Sequence, residues 1–189
     1  KTIWYRTEVG DTQEGTRDLK SVFGKAGMFT NPKPIRLINR ILDIASKNNS
    51  IVLDFFAGSG TTGHALLKYN AEHADSKRQF ILCTNNENDI CRNVTYERIK
   101  RVIANEGYNA SLKYFRVGYI SITDRMYYEY ADELLLHVRE LVELENGINF
   151  TGNAEIAIIL SEEELEGFME NAVNLSQCCL LYTSPSPRD

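Results

Sequence analysis

A chain of 189 residues, 43% hydrophobic and 25% charged, is long enough for one ordinary globular core. No apolar run approaches the about 20 residues of a membrane helix, and four cysteines without a CxxC pair and three scattered histidines exclude the usual metal-site patterns, so reduced thiols in a cytoplasmic setting are expected. Net charge is −5, but residues 1–116 hold 18 Lys+Arg against 12 Asp+Glu (+6), while residues 117–189 hold 3 against 14 (−11), so the first part suits phosphates and the second repels them.

The chain opens on Lys1 with no signal peptide, which reads as a start inside a longer protein. Residues 1–28 are polar and punctuated by glycine, and loop is expected, with at most a helical turn over Thr16–Phe23. Phe29-Thr30-Asn31-Pro32-Lys33-Pro34 follows. Residues before proline are pushed to extended geometry, and Pro34 suits a first helical position. Leu37, Ile38, Ile41, Leu42 and Ala45 then recur at helical spacing, with Arg36, Arg40, Asp43 and Lys47 on the other side.

Ser50–Thr62, SIVLDFFAGSGTT, is the centre of the reading. Ile51–Phe55 predicts a buried strand tipped by Asp54, Ala57-Gly58-Ser59-Gly60 a loop that admits positive φ, and Thr61-Thr62 the start of a helix. A strand, a glycine loop and a helix N-terminus in this order make a site for the polar end of a cofactor. No Lys follows the second glycine, so this is not a triphosphate loop, and it is not the GxGxxG pattern. Arg78–Thr84 predicts a second strand and completes a βαβ unit. An acid beyond that strand suits the two hydroxyls of a ribose, and Glu87 is the candidate, although it stands past the strand end and would also serve as a charge at a helix start.

Thr95–Ala104 predicts a helix with Tyr96, Ile99, Val102 and Ile103 inside and Arg98, Lys100 and Arg101 on a solvated face. Ser111–Ile122 is rich in Tyr, Phe, Val and Ile and predicts a third strand. Tyr127-Tyr128-Glu129-Tyr130, set among acids, suits a core or a partner contact better than base stacking. Beyond it Asp132–Glu145 is an amphipathic helix with Leu134, Leu135, Val138, Leu141 and Val142 on one side, Ala154–Leu160 a short strand, and Ser161–Glu164 a capping box. Residues 177–189, with two prolines and no periodicity, are expected to be disordered, and they resemble translated sequencing-adaptor read-through.

The run Asp54-x-Phe56-x-Gly58-Ser59-Gly60-Thr61-Thr62 resembles the cofactor motif of S-adenosylmethionine-dependent DNA amino-methyltransferases, and the Phe-x-x-Pro-Lys-Pro opening is similar to the helix start that precedes it in that family. Taken with RQFIL, Thr95–Ile103 and Leu112–Phe115, the string most resembles the modification subunit of type III restriction-modification systems, which methylates adenine at N6. The resemblance implies an α/β fold: part of a Rossmann-like methyltransferase sheet, three strands with helices over residues 29–118, followed by an acidic α+β appendage over 119–176. It implies S-adenosylmethionine as cofactor, held by Phe29, Asn31, Lys33, Asp54, Phe56, Ala57, Gly58, Ser59, Gly60, Thr61, Thr62 and Glu87. DNA, a restriction subunit and a second copy become the expected partners of the longer protein, with no membrane.

That family accepts the hydrogens of a flipped base on an Asp/Asn-Pro-Pro-Tyr motif. The four prolines here are Pro32, Pro34, Pro185 and Pro187, with no adjacent pair, so no catalytic residue is assigned and the chain is expected to be inactive alone. The first strand is expected to leave an edge unpaired. Two other readings stay open: a Rossmann-type binder of a different adenosine compound, and a non-catalytic module whose acidic region docks a partner.

Overall fold

The computed structural model describes residues 3–121, 133–147, 149, 153–170, 176–178 and 180–183. The chain divides into two units, Lys1–Tyr114 and Phe115–Asp189.

The first unit runs α1 (Arg6–Val9), α2 (Thr12–Phe23), α3 (Ile35–Ala45), β1 (Ile51–Asp54), α4 (Thr61–Glu72), β2 (Gln79–Leu82) and, after a 3-10 turn at Glu87–Asp89 and a π-helical turn at Cys91–Tyr96, α5 (Glu97–Glu106). β1 and β2 pair in parallel, Ile51 opposite Gln79 and Asp54 opposite Leu82. Parallel neighbours need a crossover, and α4 supplies it. This is the mixed α/β arrangement with a small parallel sheet that the apolar runs and the glycine loop point to.

α4 is the centre of the unit. Thr61 through Leu67 and Tyr69 are all buried, as in a helix wrapped on most sides. Leu66 and Tyr69 pack with Leu42 of α3 over Val52 and Phe80. On the other flank Leu67 packs with Ile99 and Val102 of α5, joined by Val22, Phe80 and Leu82. At Gly63 an added Cβ would lie 2.8 Å from Ile99 Cδ1, so this glycine permits the close crossing of α4 and α5. Beneath the sheet's N-terminal end, buried Arg78 lies over the Tyr69 ring and donates through all three guanidinium nitrogens to Ser46 and Ser76.

Among the described residues of this unit, helices cover one face of the sheet. Val52, Asp54, Phe80 and Leu82 face the helices, whereas Ile51, Leu53 and Ile81 are 62%, 49% and 47% exposed on the opposite face.

Three expectations need correction. Residues 12–23 form a full helix rather than loop with a turn: the Asp11 carboxylate accepts from the Glu14 N–H at 2.8 Å, and Gly24 closes the helix at φ 72°. Gly15 sits inside it not as a break but because a Cβ there would fall 2.2 Å from the Pro32 carbonyl oxygen. The third strand is not formed, since residues 111–121 carry no regular structure. Aromatic and aliphatic side chains in such a run signal fit to a half-buried surface. Here that surface is α5 and its neighbours: Leu112 packs beside Val102, and the Tyr114 ring tilts against Tyr96 at 5.3 Å.

In the second unit residues 133–135 are helical, then α6 (Val138–Asn146) ends at Gly147, φ 64°. β3 (Ile156–Ile159) leads into α7 (Glu162–Met169), where the Ser161 hydroxyl caps the Glu164 N–H. The third correction lies here: Leu180–Thr183, placed in a disordered tail by the sequence reading, forms β4 and pairs in parallel with β3, Ile156 opposite Leu180. Leu-Leu-Tyr-Thr is itself strand-forming, and the prolines begin only at Pro185. Tyr127, Tyr128, Glu129 and Tyr130 lie outside the described residues. Among the described residues no helix is long and apolar enough to cross a membrane, and no group of three or more His, Cys, Asp and Glu is placed to hold a metal ion.

Candidate functional site

Parallel pairing brings the C-terminal ends of β1 and β2 together, and the backbone locks them there. The Cys83 N–H donates to the Asp54 carbonyl at 2.8 Å, and the Ala57 N–H to the Cys83 carbonyl at 3.0 Å. Phe56 and Ala57 follow Asp54 directly, the Phe56 ring exposed and Ala57 buried. The loop then tightens through Gly60 N–H to Ala57 carbonyl at 2.7 Å, with Gly58 at φ 51° and Gly60 at φ 74°. Positive φ explains both glycines, and space explains them again. A Cβ at Gly60 would crowd the Thr95 carbonyl at 3.2 Å, and one at Gly58 would reach the Phe29 ring at 3.0 Å.

Asp54 braces this loop. Its Oδ1 accepts the Phe56 N–H at 3.0 Å and its Oδ2 the Thr62 hydroxyl at 2.6 Å. An ionised carboxylate has about four acceptor sites, so two bonds to its own chain leave capacity for a ligand. Replacing Thr62 by valine keeps shape and removes one partner from a half-buried carboxylate. The expected cost is about 1–3 kcal/mol, read as a lower urea midpoint at pH 7 with an unchanged slope.

The Pro-Lys-Pro turn meets the loop through backbone. Thr61 Oγ1 donates to the Lys33 carbonyl at 3.2 Å and lies 3.1 Å from Ser59 Oγ. The Lys33 side chain is exposed, and so is that of Asn31, which holds φ 57° in the turn. Phe29, Lys33 (by its carbonyl), Asp54, Gly58, Ser59, Gly60, Thr61 and Thr62 are thus joined in one contiguous arrangement. Glu87 is not among these contacts. It sits exposed five residues past Leu82, where Asn85 Nδ2 donates to it at 3.4 Å. Asn88 and Asp89 beside it hold φ 52° and 57°, a backbone state that non-glycine residues seldom adopt.

Behind the loop lies a layer that the sequence reading missed. Thr95 Oγ1 donates to the Gly58 carbonyl at 2.6 Å. Arg98, expected on a solvated face, is 0% exposed. Its Nη1 donates to Thr61 Oγ1 at 2.9 Å, to the Ser59 carbonyl at 3.2 Å and to Ser59 Oγ at 3.3 Å, and its Nε donates to His64 Nδ1 at 3.2 Å. Spacing held the signal: Val94, Arg98 and Val102 follow one another every fourth residue, and Thr95 and Ile99 complete the same inward face.

His64 is held neutral, its pKa lowered to about 3 by burial first, then by the Arg98 and Lys68 charges. With Nδ1 accepting from Arg98, the proton sits on Nε2, which lies 3.5 Å from Glu106 Oε1. Burial also lowers Arg98, to about 10, and it stays a cation at neutral pH.

The front of the loop is different. In a trans peptide the C=O and the following N–H point opposite ways. Drawing the Gly58 carbonyl toward Thr95 therefore turns the Ser59 N–H away from Thr95. The first N–H groups of α4 add to it, since a helix start leaves them without intrahelical partners and carries a partial positive charge. Such a surface takes the polar, anionic end of a small molecule.

Comparison with known proteins gives the family. The family model described as DNA methylase matches residues 1–97. The chain is 38% identical over 115 residues to the Mod subunit of the type III restriction-modification enzyme StyLTI of Salmonella typhimurium, covering 54% of this chain and 17% of that protein. It is 44% identical over 87 residues to the EcoPI Mod subunit of Escherichia phage P1 (46% of this chain, 13% of that one) and 32% identical over 85 residues to the type II methyltransferase M.KpnI of Klebsiella pneumoniae (45% and 20%). The chain therefore spans a fifth or less of the length of these relatives. With more than half of its residues matched by that model, and with the matched stretch folding into the turn, strand and glycine loop described above, the chain belongs to the DNA methylase family.

Proposed function

We propose that this chain is the cofactor-binding part of a site-specific DNA methyltransferase that modifies adenine at N6 within a type III restriction-modification system. On this reading β1, α4 and β2 belong to a larger Rossmann-like sheet, and the acidic α+β unit is appended to it. One observation carries the reading: the Pro-Lys-Pro turn is hydrogen-bonded to the glycine loop through Thr61 and the Lys33 carbonyl. A generic small-molecule enzyme has no need of that turn, and the kinship with Mod subunits supports the same assignment.

S-adenosylmethionine, when bound, supplies an electrophilic methyl carbon. The residues fit it: the Ser59 N–H and the start of α4 hold a polar end, the spare capacity of Asp54 accepts hydrogen bonds, and Phe29, Asn31 and Lys33 close the side formed by the turn. Phe56, Ala57, Gly58, Gly60, Thr61 and Thr62 shape the cradle. Glu87, carried past β2, is assigned to ribose hydroxyls. The chain's contribution is positioning, which accounts for much of the rate when a weak amine nucleophile attacks in line. The target base, the DNA and a restriction subunit belong to a longer polypeptide of the relatives' kind, because no Pro-Pro pair lies in these residues.

Calorimetric titration tests this. S-adenosylmethionine should give saturable heat where ATP gives none, and Asp54→Ala should weaken binding at least tenfold. Saturation by ATP, or silence with S-adenosylmethionine, sinks the assignment.

A further inference from the structure

The two buried arginines of the first unit are built differently. Arg78 is satisfied at every guanidinium nitrogen. Arg98 is buried more completely, yet its Nη2 has no hydrogen-bond partner. No carboxylate lies within 4 Å of it among the described ion pairs. A buried cation with an orphaned donor is costly and calls for a reason other than packing.

The reason lies in what its other nitrogens hold. Nη1 gathers the Ser59 carbonyl, Ser59 Oγ and Thr61 Oγ1, and Thr61 Oγ1 passes a hydrogen bond on to the Lys33 carbonyl. Thr95, one helical turn earlier, takes the Gly58 carbonyl. Two successive carbonyls of the glycine loop are therefore fixed from behind by a single helix face. That face also reaches, through Thr61, the turn that closes the front of the site. Gly58 and Gly60 both have positive φ, and such a loop is free to take other conformations unless something holds it.

We propose that Arg98, assisted by Thr95, is the positioning residue of the cofactor loop: its planar fork fixes the Gly58–Thr61 backbone so that the Ser59 N–H and the helix start face the ligand before the ligand arrives. The cofactor part of this proposal rests on the reading given under Proposed function; the loop-ordering part does not. His64 is the rear stop of the fork, because its unprotonated Nδ1 fixes the Nε side of the guanidinium.

Arginine and lysine differ here in geometry rather than in charge, and this makes the proposal testable. Amide hydrogen exchange of the full chain without ligand should show the amides that hold hydrogen bonds in the loop, Gly60 (to the Ala57 carbonyl) and His64 (to the Gly60 carbonyl), exchanging at least tenfold faster in both Arg98→Met and Arg98→Lys, with the amides of β1 and α2 unchanged. Retention of wild-type protection in either variant overturns the proposal, because lysine would keep the charge and methionine most of the volume. Thr95→Val, which removes the bond to the Gly58 carbonyl and the longer one to the Ile90 carbonyl, should give a smaller acceleration confined to the Gly60 amide. Should the Arg98 variants fail to fold, Thr95→Val decides alone, and unchanged exchange overturns the proposal. In titration with S-adenosylmethionine, Arg98→Lys should raise Kd at least tenfold. If the wild-type chain shows no heat with this compound, the functional reading fails, while the exchange result still decides the role of Arg98.

Discussion

Gly15→Ala is expected to destabilise the chain by about 1–2 kcal/mol, although alanine is the better helix former. The propensity gain of Gly to Ala inside a helix is at most about 1 kcal/mol. Against it stands a Cβ placed 2.2 Å from the Pro32 carbonyl oxygen and 2.8 Å from the Lys33 carbonyl carbon, both backbone atoms that no rotamer change moves aside. Overpacking of this kind costs about 1–3 kcal/mol or more, so crowding wins. The displaced segment is the one whose Lys33 carbonyl holds Thr61, so affinity for S-adenosylmethionine should fall with stability. Gly167→Ala, within α7 and with open space at its Cβ, is the control and should be neutral or slightly stabilising. Denaturant midpoints for the two variants decide the matter, and a Gly15→Ala chain as stable as its parent would show that α2 does not press on the turn.

His64 should give stability a steep dependence on pH. Its pKa is lowered to about 3 in the folded chain, against an ordinary value of 6.5 once unfolded. The unfolded state therefore takes up a proton below about pH 6.5 while the folded state refuses it until near 3, so this contribution is complete above 6.5 and is lost as pH falls. Between pH 7 and pH 5 the loss amounts to about 2 kcal/mol. Burial first, and then the Arg98 and Lys68 charges, keep the imidazole neutral, with Glu106 Oε1 3.5 Å from Nε2. Urea midpoints from pH 7.5 to 5 for the wild type and His64→Gln should diverge in slope, with the variant flatter over that window. Parallel curves would place the titrating group elsewhere.

The sequence displays those parts of the unit in which local chemistry and final structure agree. Gly58 and Gly60 stand where φ turns positive and α4 begins at Thr61 as read, whereas the buried strand expected over Ile51–Phe55 forms only over Ile51–Asp54 and leaves Ile51 and Leu53 exposed. Arg98 was hidden by its charge. Long cations belong outside unless something polar waits inside, and here the loop carbonyls wait, donated by a segment some 40 residues away in sequence. Gly15 misled in the opposite sense: it reads as punctuation, while the Asp11–Glu14 cap that starts the helix lay four residues before it. Residues 111–121 have the composition of a strand yet carry no regular structure, and composition alone cannot say which surface such side chains will meet.

The bare side of the two-stranded sheet has a practical consequence. Ile51, Leu53 and Ile81, with the rings of Phe55 and Phe56 standing 64% and 92% exposed at its rim, offer a greasy seat to any small aromatic probe while every helix is still in place. Fluorescence of an environment-sensitive dye on this chain is therefore a property of its native form, and reading such a signal as loosened packing would mistake an architectural feature for damage.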